Sequence, residues 1–245
     1  MKRTPLEEIE MPFLDHLEEL RWRIIRSLIS VFVLTVLVFI VSDYLLELFL
    51  YSTENLRYDI NLQALKVQTI FIIKLEIALI FGIVLSLPYI FYQIWAFIAP
   101  GLLHNERKYV LPVIFFATLS FLAGSSFAYF IIVPFALEFF LSLSPPSVTN
   151  QIAIDFFFGF VVRIVIVFGI VFELPVVSLL LTKIGILTPQ MLKKYRRYAI
   201  ITIFIGAAIL TPPDPTTQVM LGIPLIILYE VTIWISYVLY RKKQA

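Results

Sequence analysis

The sequence predicts an all-α integral membrane protein with six transmembrane helices, both termini cytoplasmic, an amino-terminal amphipathic interfacial helix and two short last spans. Three observations carry that expectation. Mean hydropathy is +0.95 and 60% of the 245 residues are hydrophobic, more than the surface of a soluble domain tolerates. The apolar residues gather into six runs, at about 24–42, 69–94, 109–133, 154–182, 198–211 and 218–239, most of them near the roughly 20 residues that a hydrocarbon core about 30 Å thick requires. Finally, fifteen of the nineteen Lys and Arg residues lie in 1–26, 95–108, 183–197 and the tail from Arg241, whereas the other loops hold only Arg57 and Lys66. That asymmetry places the four basic segments in the cytoplasm, and an even number of spans puts both termini there.

Taken in order, the amino-terminal twenty residues set Lys2 and Arg3 against six carboxylates, Glu7, Glu8, Glu10, Asp15, Glu18 and Glu19. A secretory signal begins basic and a transit peptide is poor in acids, so neither is expected and the first span should remain uncleaved. The stretch "FLDHLEELRWRII" then aligns Phe13, Leu17, Leu20 and Ile24 on one helical face and Asp15, Glu19 and Arg23 on another, which predicts an amphipathic helix lying at the membrane surface before the first span. Polar or Pro-containing segments, "STENLRYDINLQ", "LSPPSVTNQ" and "TPPDPTTQ", divide the later runs. Pro88, Pro112, Pro175 and Pro224 imply kinks, which membrane helices tolerate when neighbours satisfy the freed carbonyls. Between Arg197 and Thr211 the fifth run holds only 13 residues, about 20 Å of helix. Either it tucks behind longer spans and thins the bilayer, or its helix continues through Thr211. No internal repeat is apparent, and the whole of 1–245 reads as a single six-span membrane domain.

Composition also excludes chemistry. There is no cysteine, and His16 and His104 are the only histidines, too few for a histidine metal centre. No Gly-Lys phosphate loop and no nucleophile beside a histidine occur, so neither an enzyme nor a cofactor is expected. A net charge of +2 carries no nucleic-acid footprint. Glu76 and Glu173, placed within the membrane by their apolar runs, leave a proton-coupled solute transporter as the rival reading. Glu173 lies ten residues from both Arg163 and Lys183, about 15 Å along a helix. A carboxyl at that depth is expected to face protein or a water-filled cavity.

Carboxylates clustered beside an anionic leaflet repel lipid and attract a cation. Glu19 and Arg23 could simply form a solvated pair one turn apart, worth a few tenths of a kcal/mol. Alternatively, two carboxylates on a rigid surface would suit a guanidinium, whose planar fork lysine lacks. The second could come from Glu106, beside Arg107 and Lys108 in "WAFIAPGLLHNERK".

Four stretches, "HLEELRWR", "YQIWAFIAPGLLHNERK", "FGIVFELPV" and "LTPPDPTTQ", resemble in order and spacing those of the TatC family, the multi-spanning signal-peptide receptor of twin-arginine protein translocation. The resemblance extends over essentially the whole chain. It implies a core component of that translocase in the cytoplasmic membrane of a prokaryote, carrying folded proteins that bear twin-arginine signal peptides. By resemblance, Glu19 and Glu106 are the acidic pair that reads the twin arginines, with Arg21, Arg23, Arg107 and Phe97 in the same signal-binding surface. Glu18 is extra and is expected to be solvated. Glu173 is implied in contact with a partner's single transmembrane helix, and Thr211, Asp214 and Gln218 in a docking edge for TatA- or TatB-like single-span partners. The resemblance also implies self-association within the complex and contact with membrane lipid.

Overall fold

A computed structural model describes residues 13–54, 60–98, 110–145, 150–210 and 215–244. Glu106, Arg107, His104, Thr211 and Asp214 lie outside these described residues.

Phe13 to Ile40 forms one helix, α1. The expected surface helix is therefore not a separate element: it is the first turns of the first span. No Gly or Pro interrupts 13–40, so nothing breaks the helix. Part of its polar face, Glu19 and Arg23, is half-buried beside α3, while Leu17 and Ile24 of the apolar stripe are exposed on the protein surface, as a lipid-facing stripe would be. After Val41 the chain re-enters a helix, α2 (Ser42–Glu54), between the first apolar run and the polar segment "STENLRYDINLQ", of which it takes in only the first three residues. Leu45, Leu46, Phe49 and Leu50, at helical spacing, turn this short amphipathic helix onto the core.

A three-residue strand β1 (Asn61–Gln63) precedes the long α3 (Thr69–Ile98). The third run is an unbroken helical rod longer than expected: α4 (Val110–Phe127), a π-helical turn at Ala128–Ile132, and α5 (Val133–Ser142). A second strand, β2 (Gln151–Ala153), leads into α6 (Ile154–Ile184) and pairs in parallel with β1, Leu62 opposite Ile152. Gly185, at φ 87°, ends α6 in the left-handed conformation that a helix terminus takes most easily with glycine.

The fifth run belongs to α7 (Pro189–Leu210), which starts well before the apolar stretch. Thr188 Oγ1 accepts the Met191 amide at 3.3 Å and Pro189 opens the helix, so the charged segment "KKYRR" is helical as well. Of the two final spans expected to be short, only α7 has a short apolar section. α8 runs from Pro215 to Gln244, because residues flanking the apolar run on both sides continue the helix. Five helical rods, Asp15–Ile40, Thr69–Ile98, Val110–Ser142, Ile154–Ile184 and Pro215–Arg241, are long and apolar enough to cross a membrane.

α1 packs antiparallel along α3, α4 along α6, and α8 against both α6 and α7. Small residues set these approaches, as expected where helices gain little from expelling lipid. A Cβ on Gly82 would stand 2.8 Å from the Thr35 amide nitrogen, and one on Gly169 would stand 2.6 Å from Ser125 Oγ. Hydroxyls tie helix seams as well: Ser30 Oγ of α1 donates to Ser86 Oγ of α3 at 3.4 Å, and the Thr182 and Ser236 hydroxyls of α6 and α8 lie 2.8 Å apart. The main core, including Ile73, Ile77, Val133, Phe158, Ile164 and Phe168, gathers where α3, α5 and α6 meet α2 and the strand pair. It therefore lies toward the end opposite the chain's amino terminus. At the amino-terminal end, the start of α1 and the end of α3 meet beside a polar cluster.

Candidate functional site

Glu19 is the centre of that cluster. One turn on, Arg23 forms an ion pair with it, directing both Nε (3.0 Å) and Nη2 to the same oxygen, Oε1. The third face of the guanidinium reaches across to α3, where Arg23 Nη1 donates to Gln93 Oε1 at 3.3 Å. Gln93 is 4% exposed and Phe97 follows it by one turn. On the other side, His16 Nδ1 approaches Glu19 Oε2 at 3.7 Å while its ring stacks on Phe97, centroids 4.2 Å apart and planes 10° from parallel. Glu19 Oε2 is itself buried and has no hydrogen-bond partner among the described residues.

Three of the expected signal-site residues, Glu19, Arg23 and Phe97, thus come together. Arg21 is exposed, as is Glu18. Sequence reasoning missed His16 and Gln93, although each has a signal: Gln93 lies four residues before Phe97, and His16 three before Glu19. Just below the cluster, a groove of about 380 Å³ runs between α1 and α3, its apolar walls including Leu20, Ile24, Leu28, Ile90 and Ile94. Arg23 and Gln93 line the groove at its polar end, where Arg23 is paired with Glu19, and apolar surface continues from there.

The second carboxyl of interest, Glu173, is partly buried midway along α6, facing the Phe121 backbone of α4. Its Oε1 is buried without a hydrogen-bond partner among the described residues. Pro175 cannot donate to the Val171 carbonyl, and the carbonyl of Phe172 accepts from Ser120 Oγ of α4 at 2.5 Å. The helix is therefore locally polar where Glu173 emerges.

Gln218, the described member of the expected docking edge, spends a donor within the chain: its Nε2 bonds the Phe204 carbonyl of α7 at 2.7 Å. Farther along the same helix pair, Arg196 forms an ion pair with Glu230 and Lys193 sits over the Tyr237 ring at 5.7 Å. Tyr229 donates its hydroxyl to the Leu192 carbonyl at 2.9 Å. The basic segment before the fifth apolar run is thus docked on α8. Among the described residues, no three His, Asp or Glu side chains converge as metal ligands.

The family described as Sec-independent protein translocase protein (TatC) matches residues 15–224. This chain belongs to the TatC family. TatC of Desulforapulum autotrophicum is 37% identical over 98% of the chain and 89% of its own length, and TatCy of Bacillus subtilis is 38% identical over 98% and 94%. Two crystal structures, both described as the twin-arginine translocase receptor TatC, superpose with TM-scores of 0.79 and 0.83 at 36% and 35% identity. Each covers 90% of the chain, and 97% and 99% of the respective TatC structure. TatC membership does not favour the solute-transporter reading.

Proposed function

We propose that this protein is the receptor component of a twin-arginine translocase, and that the cluster around Glu19 is where it takes hold of the signal peptide's guanidinium groups. The observation that carries the proposal is a carboxylate, Glu19, held by Arg23 where Arg23 and Gln93 line an apolar groove between α1 and α3. A cationic peptide with an apolar continuation matches that layout. Glu106 is the second acceptor, with Arg21, Arg107 and Phe97 completing the surface. The distribution of Lys and Arg supports six spans with both termini in the cytoplasm of a bacterial cell, α7 being the shortest crossing. The basic ends of α7 and α8 would then lie at the same membrane face as Glu19.

Glu173, Thr211, Asp214 and Gln218 form the surface for TatA- or TatB-like single-span helices. Self-association with further copies, surrounding lipid and folded cargo complete the assembly. A carboxyl oxygen, Glu173 Oε1, buried without a partner among the described residues of an apolar helix supports this role, because an incoming helix could supply that partner. The test is binding of a labelled twin-arginine signal peptide to the purified protein in detergent, beside the same peptide with both arginines changed to lysine. Preference for arginine supports the proposal, and equal binding of the two peptides contradicts it.

A further inference from the structure

The acceptor carboxylate is already occupied by a residue of its own chain. A guanidinium that engages a carboxylate as a fork needs both oxygens. Here Oε1 holds two donors of Arg23, and Oε2 lies buried beneath the His16–Phe97 stack. Gln93 steadies Arg23 from α3, so the internal guanidinium is anchored at both of its faces. Nothing can enter the site as a second fork while this arrangement stands.

We propose that Arg23 is an internal stand-in for a signal-peptide arginine, so that binding is an exchange of one guanidinium for another at Glu19. The inference rests on the reading of Glu19 as the acceptor and adds an internal competitor to it. An arriving arginine can replace every hydrogen bond it displaces, leaving the exchange nearly balanced. Gln93, still within reach of Arg23, lowers the cost of releasing it. An arriving lysine brings the same charge as a compact point donor and cannot match the two donors that Arg23 gives up at Oε1. The competitor is the same for every ligand, so it lowers all affinities by one factor and keeps the empty site closed to weak cations, while the preference for arginine stays with the acceptor.

The experiment measures affinities of the twin-arginine and twin-lysine peptides for the wild-type protein, Glu19→Gln, Arg23→Gln and Arg23→Lys, each checked for a monodisperse elution profile in detergent. Exchange predicts that Arg23→Gln raises the affinity of both peptides by about threefold or more and leaves the preference for arginine unchanged, because the same competitor is lost in each case. Arg23→Lys keeps the charge but is a weaker competitor, so it raises both affinities by less, and it decides the matter if Arg23→Gln does not fold. A general gain from removing a positive charge would leave Arg23→Lys at the wild-type affinities. Affinities no higher than wild type in the folded Arg23→Lys protein therefore overturn the exchange. If the wild type shows no preference for arginine, or Glu19→Gln leaves the preference intact, the receptor site itself is wrongly assigned.

Discussion

Glu19 and Glu173 each have one buried oxygen without a hydrogen-bond partner among the described residues. Glu19, however, stands in the first turns of a helix, paired with Arg23 and bracketed by His16, Phe97 and Gln93, whereas Glu173 stands in mid-helix with no ion pair among the described residues. Both are carboxyls on largely apolar helices, and the difference lies in what surrounds them. Around Glu19 the chain provides a cation, a ring stack and an amide from two helices, so the carboxylate is oriented. Around Glu173 it provides Pro175, a backbone carbonyl already taken by Ser120, and the close approach of α4. A carboxylate that holds a guanidinium can exchange it, while one without an ion pair gains from a partner that arrives. The first suits recognition of a cationic peptide, and the second suits association with another helix.

The contrast can be broken most directly at Glu19. Glu19→Gln keeps the shape and removes the charge, and it should weaken twin-arginine peptide binding about tenfold to a hundredfold, the range of a charge-assisted hydrogen bond. Titration with labelled peptide measures it, and an unchanged affinity would make the cluster a purely structural one. Next in size is the seam that positions Glu173. Gly169 lies one turn before it, and a Cβ there would meet Ser125 Oγ at 2.6 Å and Phe121 Cε2 at 2.7 Å. Gly169→Leu should therefore cost about 1–3 kcal/mol of stability, read as a lower midpoint in a thermal unfolding assay in detergent. A midpoint equal to wild type would mean that α4 and α6 are looser than described.

The smallest effect on the chain itself, and the sharpest on the comparison, is expected from Glu173→Ala. Signal-peptide affinity should stay within about twofold of wild type, since the two carboxyls lie on different helices and share no partner. Co-purification with single-span partner subunits should fall by about threefold or more, the scale of one interhelical polar contact in a membrane. Loss of peptide affinity would instead place Glu173 in the first site.

The hydropathy runs foretell the five long rods because a membrane-length apolar helix is a local property. The juxtaposition of Glu19 and Arg23 is equally local, being one helical turn. What stays hidden is of two kinds. The partnership of Arg23 with Gln93 joins positions 70 residues apart, and the pairing of β1 with β2 is likewise non-local; neither leaves a periodic trace. The helicity of α2 and of the first half of α7 was legible in apolar spacing and in the Thr188 cap, but a reading organised around apolar spans assigns polar residues to loops. The amphipathic start of α1 carries two meanings at once: Glu19 and Arg23 of its polar face pair with each other and reach α3, so an interfacial helix and a helix-pairing surface share one pattern.

The most direct test of the account is a double-mutant cycle across the binding event, pairing Glu19→Gln in the protein with arginine-to-lysine changes in the peptide. If Glu19 receives a signal arginine, the two changes are strongly non-additive: the lysine peptide loses little more on Glu19→Gln, and one peptide arginine carries most of the coupling. Additive losses would mean that the arginines are read elsewhere and that the Glu19 cluster serves only to hold α1 against α3.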